Sequence, residues 1–294
     1  MKQQLSESKT HANRAAVVIA AAVLIGASPS LPADLGDSSP NKDSSPENNP
    51  PSKRSRSSEK ASSSEEEPSW RFYLPSYLWA AGATGKTSTL PGFPASDVDV
   101  DFFDSLRSFK DLDGALVATV FARNDRFLLI ADLNWMKLSP TESGAFNGVP
   151  IKLGFFSETV TFMGAVGYRL VDNPRVIIDT YAGAKLWYMD NSASVQPAVV
   201  TPNKVERKET WVDGVVGGQL RFNVADHIFV NALSWVGGGG SKLYGDIYAG
   251  VGYQINDKWD IFAGYRALHV EHTNGWFLYD MTQYGPLLGV AAKL

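Results

Sequence analysis

The sequence predicts an all-β fold: a transmembrane antiparallel up-and-down β-barrel of about ten strands, give or take two. Three observations predict it. Period-two alternation of apolar and polar residues recurs from Trp70 to the C-terminus. No stretch there reaches the ~18 uninterrupted apolar residues of a helical span. Tight turns alternate with longer connections, the pattern of a barrel that crosses a membrane.

Composition bounds the function classes. The 294 residues carry 27 Lys+Arg against 31 Asp+Glu, a net charge of −4, which argues against binding to nucleic acid or another polyanion. There is no Cys, so a disulfide framework, a thiolate metal site and a cysteine nucleophile are excluded. With 12% aromatics and 26 Gly, the chain is too apolar to be wholly disordered, and its Gly, Trp and Tyr suit strands near a membrane.

Residues 1–33 read as a secretory signal. Lys2, Lys9 and Arg14 form a basic start, Ala15 to Ala27 an uncharged apolar run, and Ala33 a cleavage position. A retained anchor is the competing reading, since Leu31 is a poor residue three before that bond. Residues 34–68, rich in Ser, Pro, Asn and mixed charge and free of aromatics, are expected to be a disordered linker on the periplasmic side. The basic Lys53–Arg56 is balanced by Glu65–Glu67, so it does not imply nucleic acid. Residues 69–294 form the barrel.

Within the barrel, Leu243–Ile255 alternates Leu243, Ile247, Ala249, Val251 and Tyr253 with Tyr244, Asp246, Tyr248, Gly250 and Gln254. Val176–Tyr188 and Glu209–Phe222 behave alike, with Val212, Val216, Leu220 and Phe222 opposite Asp213, Gln219 and Arg221. Tight turns are expected at Asn124–Asp125, Asp172–Pro174, Val224–Asp226 and Asn256–Asp257. Longer loops are expected near 90–112, 140–155, 191–207, 237–242 and 274–279. Trp70, Tyr73, Trp79, Trp135, Tyr168, Tyr188, Trp211, Tyr253, Trp259, Trp276 and Tyr284 fall near strand ends, where two aromatic girdles are expected.

Several chemical motifs fail on context. Ala80–Thr87 matches a loose phosphate loop, but Pro91 and Pro94 follow where a helix is required. Gly237–Gly240 reads as a flexible loop. Asp97, Asp99 and Asp101 share one strand face without the spacing of a calcium loop. Phe102, Leu106 and Phe109 are spaced for a short helix capped by Asp101. His269, Glu271 and His272 lie near an outer strand end, where a rim hydrolase would place its histidine. A separation of three turns the two histidines to opposite faces. No catalytic residue, cofactor or metal is expected.

The inward polar face carries the functional signal. Arg123, Asp132, Arg169, Asp179, Lys185, Asp213, Arg221, Asp246, Asp260 and Arg266 all fall on the polar side of their strands. Unpaired burial of charge is costly, so these groups must pair or stay hydrated. Paired, they plug the lumen and leave a structural or surface-interaction role. Separated by water, they line a narrow passive channel for ions or small solutes. Within this set, Asp179, Lys185, Asp213, Arg221, Asp260 and Arg266 are expected to form one ionic layer.

The C-terminal segment Tyr284–Leu294 alternates Leu288, Val290, Ala292 and Leu294 on one face. Here the chain resembles the small outer-membrane β-barrel proteins of Gram-negative bacteria. More closely it resembles an uncharacterised subgroup with recurring blocks like Trp70–Gly85, Val98–Phe109, Gly264–His272 and Gly285–Leu294, in that order. The likeness covers roughly 69–294 and departs at Leu294, where Phe or Trp is usual. It implies a location in the cell outer membrane, contact with its lipids and lipopolysaccharide, and recognition of the last strand by the barrel assembly machinery. It implies no activity.

Overall fold

The computed structural model describes residues 70–91, 94–101, 103, 112–146, 149–196 and 204–294. The expected signal, the linker and most of the expected helix at Phe102–Phe109 lie outside the described residues.

Strands make up the barrel: β1 (Arg71–Trp79), β2 (Gly82–Ser88), β3 (Ser96–Val100), β4 (Leu112–Asn124), β5 (Phe127–Leu138), β6 (Thr141–Phe146) and β7 (Val149–Asp172) come first. β8 (Val176–Gln196), β9 (Lys204–Ala225), β10 (Ile228–Gly239), β11 (Leu243–Gln254), β12 (Trp259–Asn274) and β13 (Phe277–Lys293) follow. All pairings are antiparallel, and each wall strand from β4 onward pairs with its successor, passing from β5 directly to β7. β1 and β2 lie end to end along β13, at Lys293–Leu287 and at Tyr284–Leu278. They form one stave, and the pairing of β1 with β4 closes a ring of ten staves. β3 and β6 are additions, paired to β2 and β7.

Alternation sorts the side chains as the sequence predicts. Val216 is 56% exposed and Leu288 65%, whereas their neighbours Val215 and Leu287 are buried. An apolar exterior around a polar, aromatic interior is the transmembrane arrangement. No helix among the described residues is long and apolar enough to cross a membrane. The lower rim carries exposed Trp70, Phe72, Tyr168, Tyr253 and Trp259.

Three expectations are corrected. Tyr73, Trp79 and Trp211 are buried in the interior and belong to no girdle. Among the described residues the expected loops near 140–155 and 191–207 are largely strand: β7, β8 and β9 run 24, 21 and 22 residues. The region 274–279 is a tight hairpin in which Gly275, at φ 62°, supplies the left-handed turn residue. The phosphate-loop match at Ala80–Thr87 spans the break at Ala80–Ala81 between β1 and β2.

Interior aromatics need room, and glycine provides it. A Cβ on Gly252 would stand 2.0 Å from the Phe229 ring, and one on Gly217 2.5 Å from the Trp235 indole. At the mouth, Leu90 beyond β2 packs against Ala193 of β8 and Phe155 of β7, so the β2–β3 connection reaches the opposite wall.

Candidate functional site

The charged residues of the interior occupy two levels rather than one layer. Arg123, Arg169, Asp179, Arg221 and Asp260 lie near the tight-turn ends of their strands. Asp132, Lys185, Asp213, Asp246 and Arg266 lie further along, toward the middle of the wall.

At the lower level, cross-strand register makes the pairs. Arg169 and Asp179 face each other on β7 and β8, and the guanidinium donates from Nε at 2.8 Å and from Nη2 at 3.1 Å to the two carboxylate oxygens. Arg123 donates to Asp172 Oδ2 at 2.6 Å. Asp260 is 2.8 Å from Lys293 Nζ. Arg221 lies 3.5 Å over the Phe229 ring and donates to Asn223 Oδ1 at 3.1 Å. Sequence reasoning missed Asp172 and Lys293. Lys293 shares the inward face of β13 with Ala291 and Leu287, a signal that alternation alone could have supplied.

At the middle level, Arg266 Nε donates to Asp246 Oδ1 at 2.9 Å and Nη1 to Tyr77 Oη at 3.1 Å, and its guanidinium covers the Trp79 ring at 4.7 Å. Asp132 accepts from Thr119 at 2.9 Å and from Asn134 at 2.7 Å. Lys185 lies over Trp187 and Tyr244, at 4.8 and 5.1 Å. Asp213 is its register partner on β9, yet that carboxylate accepts from the Ser241 amide at 2.6 Å, Ser241 Oγ at 2.8 Å and Trp187 Nε1 at 3.0 Å. These neutral donors tie the β10–β11 connection to the wall. All five residues of this level are buried, Asp213 and Arg266 at 0% exposure.

Above them stand aromatics. Trp187 and Trp211 stack at 5.5 Å, and the His272 ring lies parallel to Trp211 at 4.0 Å. His272 Nδ1 is 2.8 Å from the Gly240 carbonyl oxygen, which can only accept, so Nδ1 carries a proton. Its Nε2 is 3.5 Å from Glu209. His269 faces outward, 2.9 Å from Thr282 Oγ1. Among the described residues no serine hydroxyl meets His272, because Ser241 Oγ is engaged by Asp213 and by Trp211 Nε1. At this outer rim, burial pushes the Glu209 carboxyl up, but hydrogen bonds from Asn274 and Arg207 outweigh it and hold the group below the ordinary carboxylate range.

Asp97 and Asp99 stand exposed on β3, with Lys86 3.8 Å from Asp97, and no cluster able to hold a metal occurs among the described residues.

No family model and no curated protein matches the chain. Among solved structures, the outer membrane protease OmpT from Escherichia coli is similar at 9% identity and a TM-score of 0.43, over 76% of this chain and 94% of that one. The translocator domain of the autotransporter NalP from Neisseria meningitidis is similar at 11% identity and a TM-score of 0.44, over 78% and 90%. The attachment invasion locus protein Ail of Yersinia pestis is similar at 11% identity and a TM-score of 0.30, over 78% and 100%.

Proposed function

We propose that this chain is an outer-membrane barrel whose lumen is closed by its own side chains and whose role is structural or exerted through its outer surface. The observation that carries this reading is the burial of the middle charged level. Charges lining an open aqueous pore would be solvent-exposed, whereas Asp132, Lys185, Asp213, Asp246 and Arg266 are enclosed by Tyr77, Trp79, Trp187, Tyr244 and one another.

In this reading residues 34–68 precede the barrel on the periplasmic side, where the short turns lie. The last strand, which closes the ring against β1, is what the assembly machinery would recognise, and lipid and lipopolysaccharide surround the apolar belt. A narrow channel is the second reading. Gln219 Nε2, Trp235 Nε1 and Thr159 Oγ1 are buried without a hydrogen-bond partner among the described residues, and a hydrated lumen would supply one.

Two measurements test the proposal. The mature protein should fractionate with outer membranes and shift its gel mobility on heating in detergent. In a planar bilayer it should show no steady conductance above the bilayer alone. Recovery as soluble protein would defeat the membrane reading, and regular single-channel steps would replace the plug with the channel.

A further inference from the structure

Glycine follows asparagine at the outer tip of the β12–β13 hairpin. Asn274 and Phe277 are the last residues paired across it, which leaves Gly275 and Trp276 as the turn. Gly275 sits at φ 62°, and a Cβ placed on it would meet nothing within 4 Å. Its amide lies outside the strand ladder and donates no hydrogen bond among the described residues. Asn274 is exposed, and its Nδ2 donates to Glu209 Oε1 at 2.6 Å, a bond that ties the tip of β12 to β9.

This arrangement has a chemistry of its own. The backbone nitrogen of the residue after an asparagine can attack the asparagine Cγ. The side chain of that next residue hinders the approach, and glycine has none. Other turn asparagines are guarded. Asn173 is followed by Pro174, which has no N–H, and its Oδ1 accepts from Arg175 N at 3.0 Å and Val176 N at 2.7 Å. Asn124 and Asn256 are followed by Asp125 and Asp257, and Asn256 Oδ1 accepts from Lys258 N at 2.9 Å and Trp259 N at 3.0 Å. Asn223 is followed by branched Val224, and its Nδ2 donates to Pro174 O at 2.8 Å. The attack requires Asn274–Gly275 to leave its hairpin geometry, and an exposed hairpin tip is where a sheet opens first. A second Asn–Gly, at 147–148, lies outside the described residues.

We propose that Asn274 is a self-modification site whose reaction releases the outer rim. The Gly275 nitrogen gives up its proton and bonds to Asn274 Cγ. The Cγ–Nδ2 bond breaks, and Nδ2 leaves as ammonia with that proton. Water then opens the cyclic imide at either carbonyl, giving aspartate, or isoaspartate with the backbone lengthened through Cβ. Both products remove the Nδ2 donor and add a carboxylate beside Glu209, so an attraction becomes a repulsion. Arg207 Nε still donates to Glu209 Oε2 at 3.0 Å, but β12 loses its tie to β9. The Trp211–His272 stack joins the same two strands and loosens with it.

The test ages the full barrel in bilayers at mildly alkaline pH and maps its peptides by mass spectrometry. The peptide spanning Asn274 should gain the mass of amide-to-acid conversion and show isoaspartate, while those spanning Asn124, Asn173, Asn223 and Asn256 stay amidated. Amide hydrogen exchange at Glu209–Trp211 and His272–Asn274 should be faster in aged than in fresh protein. Asn274→Gln should abolish both changes. Asn274→Asp should show the fast exchange without ageing, and adding Glu209→Gln should return it toward the fresh wild type because one of the two charges is gone. If Asn274→Asp does not fold, the aged wild type supplies the same comparison. An Asn274 that stays amidated under conditions that convert a free peptide of residues 270–279 would overturn the site. Conversion with exchange unchanged at both segments would overturn the release of the rim.

Discussion

Arg266 on β12 and Asp246 on β11 form a buried ion pair inside the barrel, and Tyr77 Oη on β1 accepts a further hydrogen bond from the same guanidinium at 3.1 Å. Three staves are joined at one residue. Arg266→Ala is expected to lower stability by about 3–5 kcal/mol, because it leaves Asp246 buried and uncompensated. Arg266→Met combined with Asp246→Leu should recover most of that loss, since an apolar pair has no charge to desolvate. Denaturant unfolding of the single and double variants in lipid checks this. A double variant no better than the single one would show that the pair is not the source of the effect.

Lipid-facing positions give a second prediction. Val216→Arg and Val251→Arg should each cost about 2–4 kcal/mol where they lie near the bilayer midplane, while Thr210→Arg, above the belt, should cost little. Gly217 and Gly250 are not the permissive inward controls that alternation suggests. A Cβ on Gly250 would stand 2.2 Å from Tyr248 Oη and 2.5 Å from the Ala263 carbonyl oxygen. Gly250→Ala should therefore be destabilising too, and a fully tolerated alanine would contradict this packing.

Asp213 should act as an anchor for the outer connection between β10 and β11. Asp213→Ala removes the acceptor of the Ser241 amide and hydroxyl and of Trp187 Nε1. A cost of about 1–3 kcal/mol is expected for the donors left unpaired. Proteolysis within Gly237–Lys242 should accelerate while the rest of the barrel stays resistant. Unchanged cleavage there would remove the anchoring role.

The outer rim should respond to acid. Glu209 is held below its ordinary pKa in the folded protein, so its contribution is present above the unfolded value and is lost as pH falls through the folded one. Hydrogen exchange at Glu209–Trp211 and His272–Asn274 should rise below about pH 4, near the reference Glu range, and Glu209→Gln should flatten that rise. A Glu209→Gln variant with the wild-type acid profile would assign the transition to another group.

Alternation by itself determined which face of each strand meets lipid. Val216, Val251 and Leu288 are outward, and Asp179, Lys185, Asp213 and Arg266 inward, because a strand offers only two faces and a one-residue slip would drive charge into hydrocarbon. The tight turns were legible for a related reason, since Asn, Asp, Gly and Pro mark them chemically. Partnership was not legible. That Arg169 meets Asp179, that Lys293 serves Asp260, and that Asp213 turns to Ser241 rather than to its register partner Lys185 depend on stagger between strands and on long side chains reaching across the lumen. The inward fate of Tyr73, Trp79 and Trp211 was hidden as well, because an aromatic near a strand end reads alike as rim or interior until the height of the wall is known. Periodicity is local and survives in one dimension, whereas register, stagger and the direction of each backbone group exist only once the ring has closed.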